Sequence, residues 1–242
     1  MLFTSAAAAE EIWSIGQKDM TGNEFALAPD RYADFLAEDF GFEDKYHIVG
    51  HSDISRSFPY VLPGPVDTWG GTWHTAGWRT HEVNILFSLK DQPSADAELK
   101  LLVDLADFSK KFLPLVKVSV NSADWKFQLS APGHKVEDQP SPNLDEKTDD
   151  VPSLTGDMKM AVPKTIEVPL KGNQLHKGGN TVTITILEGS WIIFDRIALT
   201  GNELVEISVP EKLYVADRHE RPGFHPARQG RKSRYPLKPA RP

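Results

Sequence analysis

Residues 180–201 read NTVTITILEGSWIIFDRIALTG, two β-type runs joined by a Glu-Gly-Ser turn. In the second run, Ile192, Phe194, Arg196 and Ala198 fall on one face by strict alternation. Trp191, Ile193, Asp195 and Ile197 fall on the other. Neither face is cleanly polar, so this strand is expected to lie in the middle of a sheet and to be covered on both sides. Asp195 then needs a partner, a local backbone amide or an arginine, because a buried carboxylate without one is costly. It is read as a structural residue and not as a catalytic acid.

Outward from this pair the same period-two pattern recurs. EVNILFSL (82–89), AELKLLVDLAD (97–107), LVKVSVN (115–121) and TIEVPL (165–170) alternate apolar with polar residues, as half-buried strands do. DWKFQLS (124–130) follows LVKVSVN closely enough to form a hairpin, and YHIVG (46–50) and VEISVP (205–210) are shorter strand signals. Helix signals are scarce. PDRYADFLAED (29–39) places Tyr32, Phe35 and Leu36 at helical spacing after a proline and an aspartate, which predicts one short helix. Many short strands separated by Gly and Pro turns indicate an all-β fold, and about eight strands with long connections favour a jelly-roll β-sandwich. The acidic, Pro-rich stretch 131–157 is expected to be a long surface loop within that sandwich.

Composition bounds the function. The chain of 242 residues has no cysteine, so disulfides and thiolate metal sites are excluded. No apolar run approaches the roughly 20 residues that cross a bilayer. Residues 217–242 hold eight Lys or Arg against two acids, +6, so the other 216 residues carry −13 of the net −7. With five prolines and few apolar residues, this tail cannot bury a core, and 211–242 are expected to be disordered. A basic tail suits nucleic acid or an anionic surface; the reading preferred is inert sequence with no nucleic-acid or membrane partner. At the other end, MLFTSAAAAE (1–10) reads either as the remnant of a secretory signal peptide or as a frayed tail.

Reactive motifs are missing. There is no HExxH, no EF-hand loop, no GxSxG and no phosphate-cradling glycine pattern. His51, Ser52 and Asp53 are adjacent in sequence, and neighbours in an extended chain point to opposite faces, so they are read as a turn and not a triad. No cofactor is expected; a structural calcium held by backbone carbonyls is not legible in sequence. The stretch DTWGGTWHTAGWR (67–79) is different in kind, with three tryptophans spaced by glycines just before a strand. Indoles there either close the end of the sandwich, given the area each one buries, or form a platform for flat ligands.

Five segments, in order, resemble the carbohydrate-binding-module-like third domain of rhamnogalacturonan lyases, polysaccharide lyase family four, found also in large exported bacterial proteins. EIWSIGQKDMTGNEF is similar to that domain's opening. YHIVGHSDISRSFPYVLPGPVDTW resembles its Ser-x-x-x-Arg segment, aromatic-Pro-Tyr and Pro-Gly-Pro turn before Asp-x-Trp. HEVNILFSL, LTGD and LHKGGNTVTITILEGSWIIFDRIAL resemble its later strands and closing loop. The resemblance covers about 11–210 and implies a galactose-binding-like jelly roll, with the lyase's catalytic groups on a domain absent from this chain. It implies a secreted or periplasmic, non-catalytic module that binds polysaccharide, here plant cell-wall glycans of the pectin type. It also fits a packing domain of a larger enzyme; the basic tail is read as the product of a frameshift or premature end in a longer gene, or as the odd tail of a short native protein. A glycan lyase or hydrolase using His51, His74 or His81 as base is the third reading. Trp69 belongs to the shared motif and is expected to be buried. Trp73 and Trp78 lie in an extension private to this chain and are expected to stack on sugar rings. His74, Arg79 and Arg56 are placed at the rim, and Tyr60 completes the carbohydrate-binding set.

Overall fold

β10 (Ile192–Gly201) is hydrogen-bonded on both sides, to β1 (Glu10–Gly16) and to β5 (Glu98–Phe108), and also to the two-residue β3 (Val61–Leu62). The computed structural model describes residues 10–29, 46–67, 82–133, 152–203 and 205–209. β8 (Lys164–Lys171) pairs with β5 and completes a first sheet in the order β1-β10-β5-β8. The second sheet runs β2 (Tyr46–Ile48), β4 (Glu82–Leu89), β9 (Gly178–Glu188), β6 (Leu115–Val120), β7 (Ala123–Gln128). Among the described residues the pairings of these strands are antiparallel except β2 with β4. This is the two-sheet, jelly-roll-like architecture that the alternation predicted.

Register explains the core. Residues opposite each other in a ladder share a face. In the first sheet Trp13, Leu199, Leu101 and Val168 form one inward row, and Ile15, Ile197, Val103 and Ile166 the next. In the second sheet Val83, Ile184, Val118 and Trp125 line up, as do Ile85, Val182, Val120 and Ala123. The two inner faces meet where Trp13 packs on Phe87, ring centroids 5.2 Å apart. Nearly all these side chains are buried, with Trp125 only half-buried at the end of its row.

β10 departs from strict alternation. Phe194 opposes Leu105 and Arg196 opposes Asp104, so Asp195 is the extra residue of a bulge. Phe194 therefore shares the inner face with Ile197 and Leu199, whereas Arg196 and Ala198 point outward. This corrects the grouping of Phe194 with Arg196 and Ala198. The bulge also re-aims Asp195, whose Oδ1 accepts from the Asp19 and Met20 amides at 3.0 and 2.9 Å. Gly16 makes that possible. It ends β1 at φ +81°, and a Cβ there would stand 2.5 Å from the Asp195 carbonyl oxygen.

The helix expected over 29–39 lies outside the described residues from 30 onward. Among the described residues the α-helix is α1 (Ile54–Ser57), capped by Asp53, whose carboxylate accepts from the Ser55 amide at 3.0 Å. Within 131–157 the described part holds a 3-10 turn at Pro152–Thr155; residues 134–151 lie outside the described set. VEISVP contributes a single bridge, Ile207 to Leu89. β1 and β3 are strands that the alternation did not announce. Among the described residues no helix is long and apolar enough to cross a membrane.

Candidate functional site

Trp125 stands where the second sheet ends. Its neighbours along the row, Val118 and Ile184, are fully buried beneath the facing sheet. Among the described residues no strand lies beyond β7, and the last indole of the row is partly open. Beside it the ends of β5, β8 and β10 form a cleft of about 630 Å³, lined by Trp125, Leu99, Leu170 and Pro169 as its apolar part. Glu98, Lys100, Lys171, Gln174, Thr200 and Asn202 supply the polar part. That size and mixture fall within the ~300–1,000 Å³ typical of small-molecule sites.

The polar groups are held by the backbone. The 3-10 turn Gly172–Gln174 folds back on β8 so that the Lys171 amide donates to Gln174 Oε1 at 2.7 Å. The turn's own carbonyl, Gln174 O, accepts from Asn121 Nδ2 at 2.8 Å. Gly172 is required there, since a Cβ would meet the Ser94 carbonyl oxygen at 1.9 Å. On the other side the Glu98 amide donates to Asn202 Oδ1 at 3.0 Å. Lys171 pairs with Glu98 and Lys100 with Glu167, each at 3.1 Å, so the cleft carries little net charge.

A second polar corner surrounds α1. His47 on β2 is 5% exposed, its Nδ1 is 2.9 Å from Ser57 Oγ, and its ring meets Phe58 edge-on at 5.9 Å. Burial drives its pKa down to about 4, only partly offset by the Asp53 carboxylate. His47 is thus neutral and structural. Ser52 Oγ accepts from the Ile48 amide at 2.9 Å, and Asp53 caps α1, so the His51-Ser52-Asp53 stretch is a turn, as its spacing implied.

Of the sequence-predicted binding residues, Trp73, His74, Trp78 and Arg79 lie outside the described residues, as does Trp69. Arg56 is exposed in the last turn of α1. Tyr60 corrects the expectation: it is 0% exposed, and its hydroxyl donates to the Leu154 carbonyl at 2.9 Å. The same side chain packs over Gly22, and its carbonyl accepts from the Phe194 amide. A tyrosine built into the core in this way offers no face to a ligand. Trp125, Gln174 and Asn202, which line the cleft, were not singled out in sequence. Trp125 sits in a strand whose alternation marks it as inward, and nothing local shows that its row runs out at an edge.

The ionic cluster on the outer face of the first sheet is also structural. Asp104, 1% exposed, accepts from Lys18 Nζ at 2.8 Å, Thr165 Oγ1 at 2.5 Å and Arg196 Nε at 3.1 Å. Burial alone would raise its pKa, but these three donors outweigh it and hold the carboxyl low. Burial likewise pushes Asp195 up, against the pull of its two backbone amides. Among the described residues no three His, Asp or Glu side chains gather as metal ligands.

Several motif residues behind the resemblance are scaffolding. Trp13 and Phe25 are core. Asp67 is fully buried, accepting from the Gly64 amide at 2.7 Å and Ser190 Oγ at 2.5 Å, which staples the Pro-Gly-Pro turn onto the β9–β10 connection. Asn180 bonds the His176 amide and Asn121 at 2.8 and 3.0 Å.

A family model described as CBM-like, polysaccharide lyase family 4, domain III, matches residues 11–199. No curated protein matches the chain. Among solved structures, a family 35 carbohydrate-binding module from an environmental isolate aligns at 12% identity and TM-score 0.32, over 54% of this chain and 72% of that one. The family 35 module of Cellvibrio japonicus Abf62 aligns at 13% and 0.26, over 49% of this chain and 63% of that one. An exo-β-1,3-galactanase of Phanerochaete chrysosporium, solved with galactose, aligns at 17% and 0.26, over 49% and 20%. At these TM-scores the assignment rests on the family model. With four-fifths of its length matched by that model and its motif residues building the sandwich, the chain belongs to the CBM-like family of polysaccharide lyase domain III, an accessory, carbohydrate-binding type of module related to polysaccharide-acting enzymes.

Proposed function

We propose that this module is exported, to the periplasm or outside the cell, and binds plant cell-wall glycans of the pectin type through their neutral side chains. The observation that carries the reading is the match to a lyase accessory domain over residues 11–199. Charge refines it. A body of −13 repels a galacturonate backbone at low salt, whereas arabinan and galactan side chains carry no charge. Trp73 and Trp78 supply the stacking surface, with His74, Arg79 and the exposed Arg56 bonding hydroxyls at the rim. Tyr60 is not part of it.

Affinity gels containing arabinan, galactan or rhamnogalacturonan test this proposal. The parent protein should be retarded on at least one, and a Trp73→Ala, Trp78→Ala double variant less so. The double variant should keep its stability within about 1 kcal/mol, as surface changes do. Loss of several kcal/mol would make both tryptophans core. No retardation on any gel would leave the domain as a packing element of a larger enzyme.

A further inference from the structure

We propose that the cleft beside Trp125 is a saccharide-binding site for an uncharged sugar chain, built on the sheet ends and independent of the tryptophans at 73 and 78. The inference rests on the reading that this domain binds saccharides, and it adds a place and a ligand class.

Three features point to an uncharged polyol. The first is amide orientation. Gln174 Oε1 is taken by the Lys171 amide and Asn202 Oδ1 by the Glu98 amide. Each carboxamide has thereby spent its acceptor on the backbone, and its NH2 group has no partner among the described residues. Two NH2 donors thus line one cleft, each oriented by its own oxygen's bond to the backbone. The second feature is Trp125. Its indole is half-open, lines the cleft, and has an Nε1–H without a hydrogen-bond partner among the described residues. An aromatic body with a polar tip is suited to the apolar face of a pyranose and to its rim hydroxyls together. The third feature is charge balance. Lys171 is neutralised by Glu98 and Lys100 by Glu167, and such exposed pairs are weak enough for hydroxyls to intercalate. Glu98 then accepts from a sugar hydroxyl while Lys171 donates to one. A uronate would bring a third carboxylate beside Glu98 and Glu167, and is disfavoured.

The scaffold is rigid where it matters. Leu99 and Leu170 beneath the cleft are buried core, and Gly172 leaves the 3-10 turn no room to shift toward Ser94. The site is therefore preformed, so binding needs little ordering of the protein.

Calorimetric titration of the full 242-residue chain with galactotetraose, arabinotetraose, xylotetraose and, as the charged control, digalacturonate tests the assignment. Binding to at least one neutral tetrasaccharide is expected, with digalacturonate weaker. A Gln174→Ala, Asn202→Ala double variant should bind roughly tenfold more weakly or worse, as two lost hydrogen bonds imply. Trp125→Ala should lose at least as much; because that indole touches the core and the two carboxamides cap the β8 turn and the start of β5, Lys171→Ala, which removes a proposed donor and only an exposed ion pair, decides the outcome if either variant melts early, and should also weaken binding. A parent that binds while the amide variant matches its affinity overturns the cleft. If Trp73→Ala with Trp78→Ala then abolishes binding, the sugar-binding reading itself survives. Tighter binding of digalacturonate overturns the uncharged-ligand assignment. No binding of any of the four overturns both the site and the reading beneath it.

Discussion

His47 and Asp195 show how single buried polar groups are handled here. Asp195 receives two backbone amides because a bulge turns it toward residues 19 and 20. Its need for a partner was legible in sequence, as its alternate neighbours Ile193 and Ile197 are apolar; the bulge was not, since inserting one residue leaves no trace in local composition. His47 was not legible as buried at all, because YHIVG gives no sign that α1 will cover it. Its neutral state has a measurable consequence. With a folded-state pKa of about 4 against an ordinary 6.5, the unfolded chain binds the extra proton between those values. Stability is therefore full above about pH 6.5 and falls as pH drops toward 4, by on the order of 2–3 kcal/mol. Asp195 and Glu24, both raised by burial, act in the opposite sense in the acid range. A comparison at fixed background separates them. Denaturant melts of the parent and of His47→Gln between pH 7 and 4.5 should show a shallower slope in the variant, and equal slopes would mean that His47 is not the titrating group.

At the scale of the elements, strands that alternate cleanly were read to within one or two residues, because their pattern has a single cause. One face meets the facing sheet and the other is more open, most clearly in β8 and less so in β6, whose outer face is half-buried. β1 and β3 escaped notice for a different reason. β1 is bulged between Glu11 and Trp13, and β3 is two residues long. Pairing with β10 makes them strands, more than their own sequence does. The same contrast separates β10 from β7. Phe194 on β10 sits among Phe58 and Phe25, with centroids 5.0 and 6.4 Å away. Phe127 on β7 is only half-buried. Phe194→Ala should cost roughly 3–5 kcal/mol, and Phe127→Ala clearly less, because an edge site can relax or admit water. Urea melts of the two variants check the order. A loss under about 1 kcal/mol for Phe194→Ala would show the aromatic cluster to be open to solvent.

For the whole molecule, the motifs that reveal the family are the ones that close the sandwich, so they fix the fold and leave the ligand unnamed. The side chains proposed to choose the ligand lie largely outside those motifs, Trp73, Trp78, His74 and Arg79 in one segment and Gln174, Asn202 and Trp125 on the cleft. Where the cooperative unit stops can be argued in the same terms. The chain divides between Val209 and Pro210. Just before that boundary the Lys90 amide donates to the Glu206 carbonyl and the Ser208 amide to the Ser88 carbonyl, at 2.9 and 2.8 Å. Val205 is buried with them, whereas Val209 is 50% exposed. Residues 205–208 are therefore an added edge on β4, and residues from 210 onward are proposed to be dispensable for folding. A chain ending at residue 209 should melt within about 2 °C of the parent. One ending at 203 loses two backbone hydrogen bonds and the burial of Val205. For a domain of this size about 1 kcal/mol shifts the midpoint by roughly 2–4 °C, so a drop of at least that much is expected. Calorimetric melts of the three chains decide the boundary. If the chain ending at 209 melts many degrees below the parent, residues beyond 209 belong to the cooperative unit.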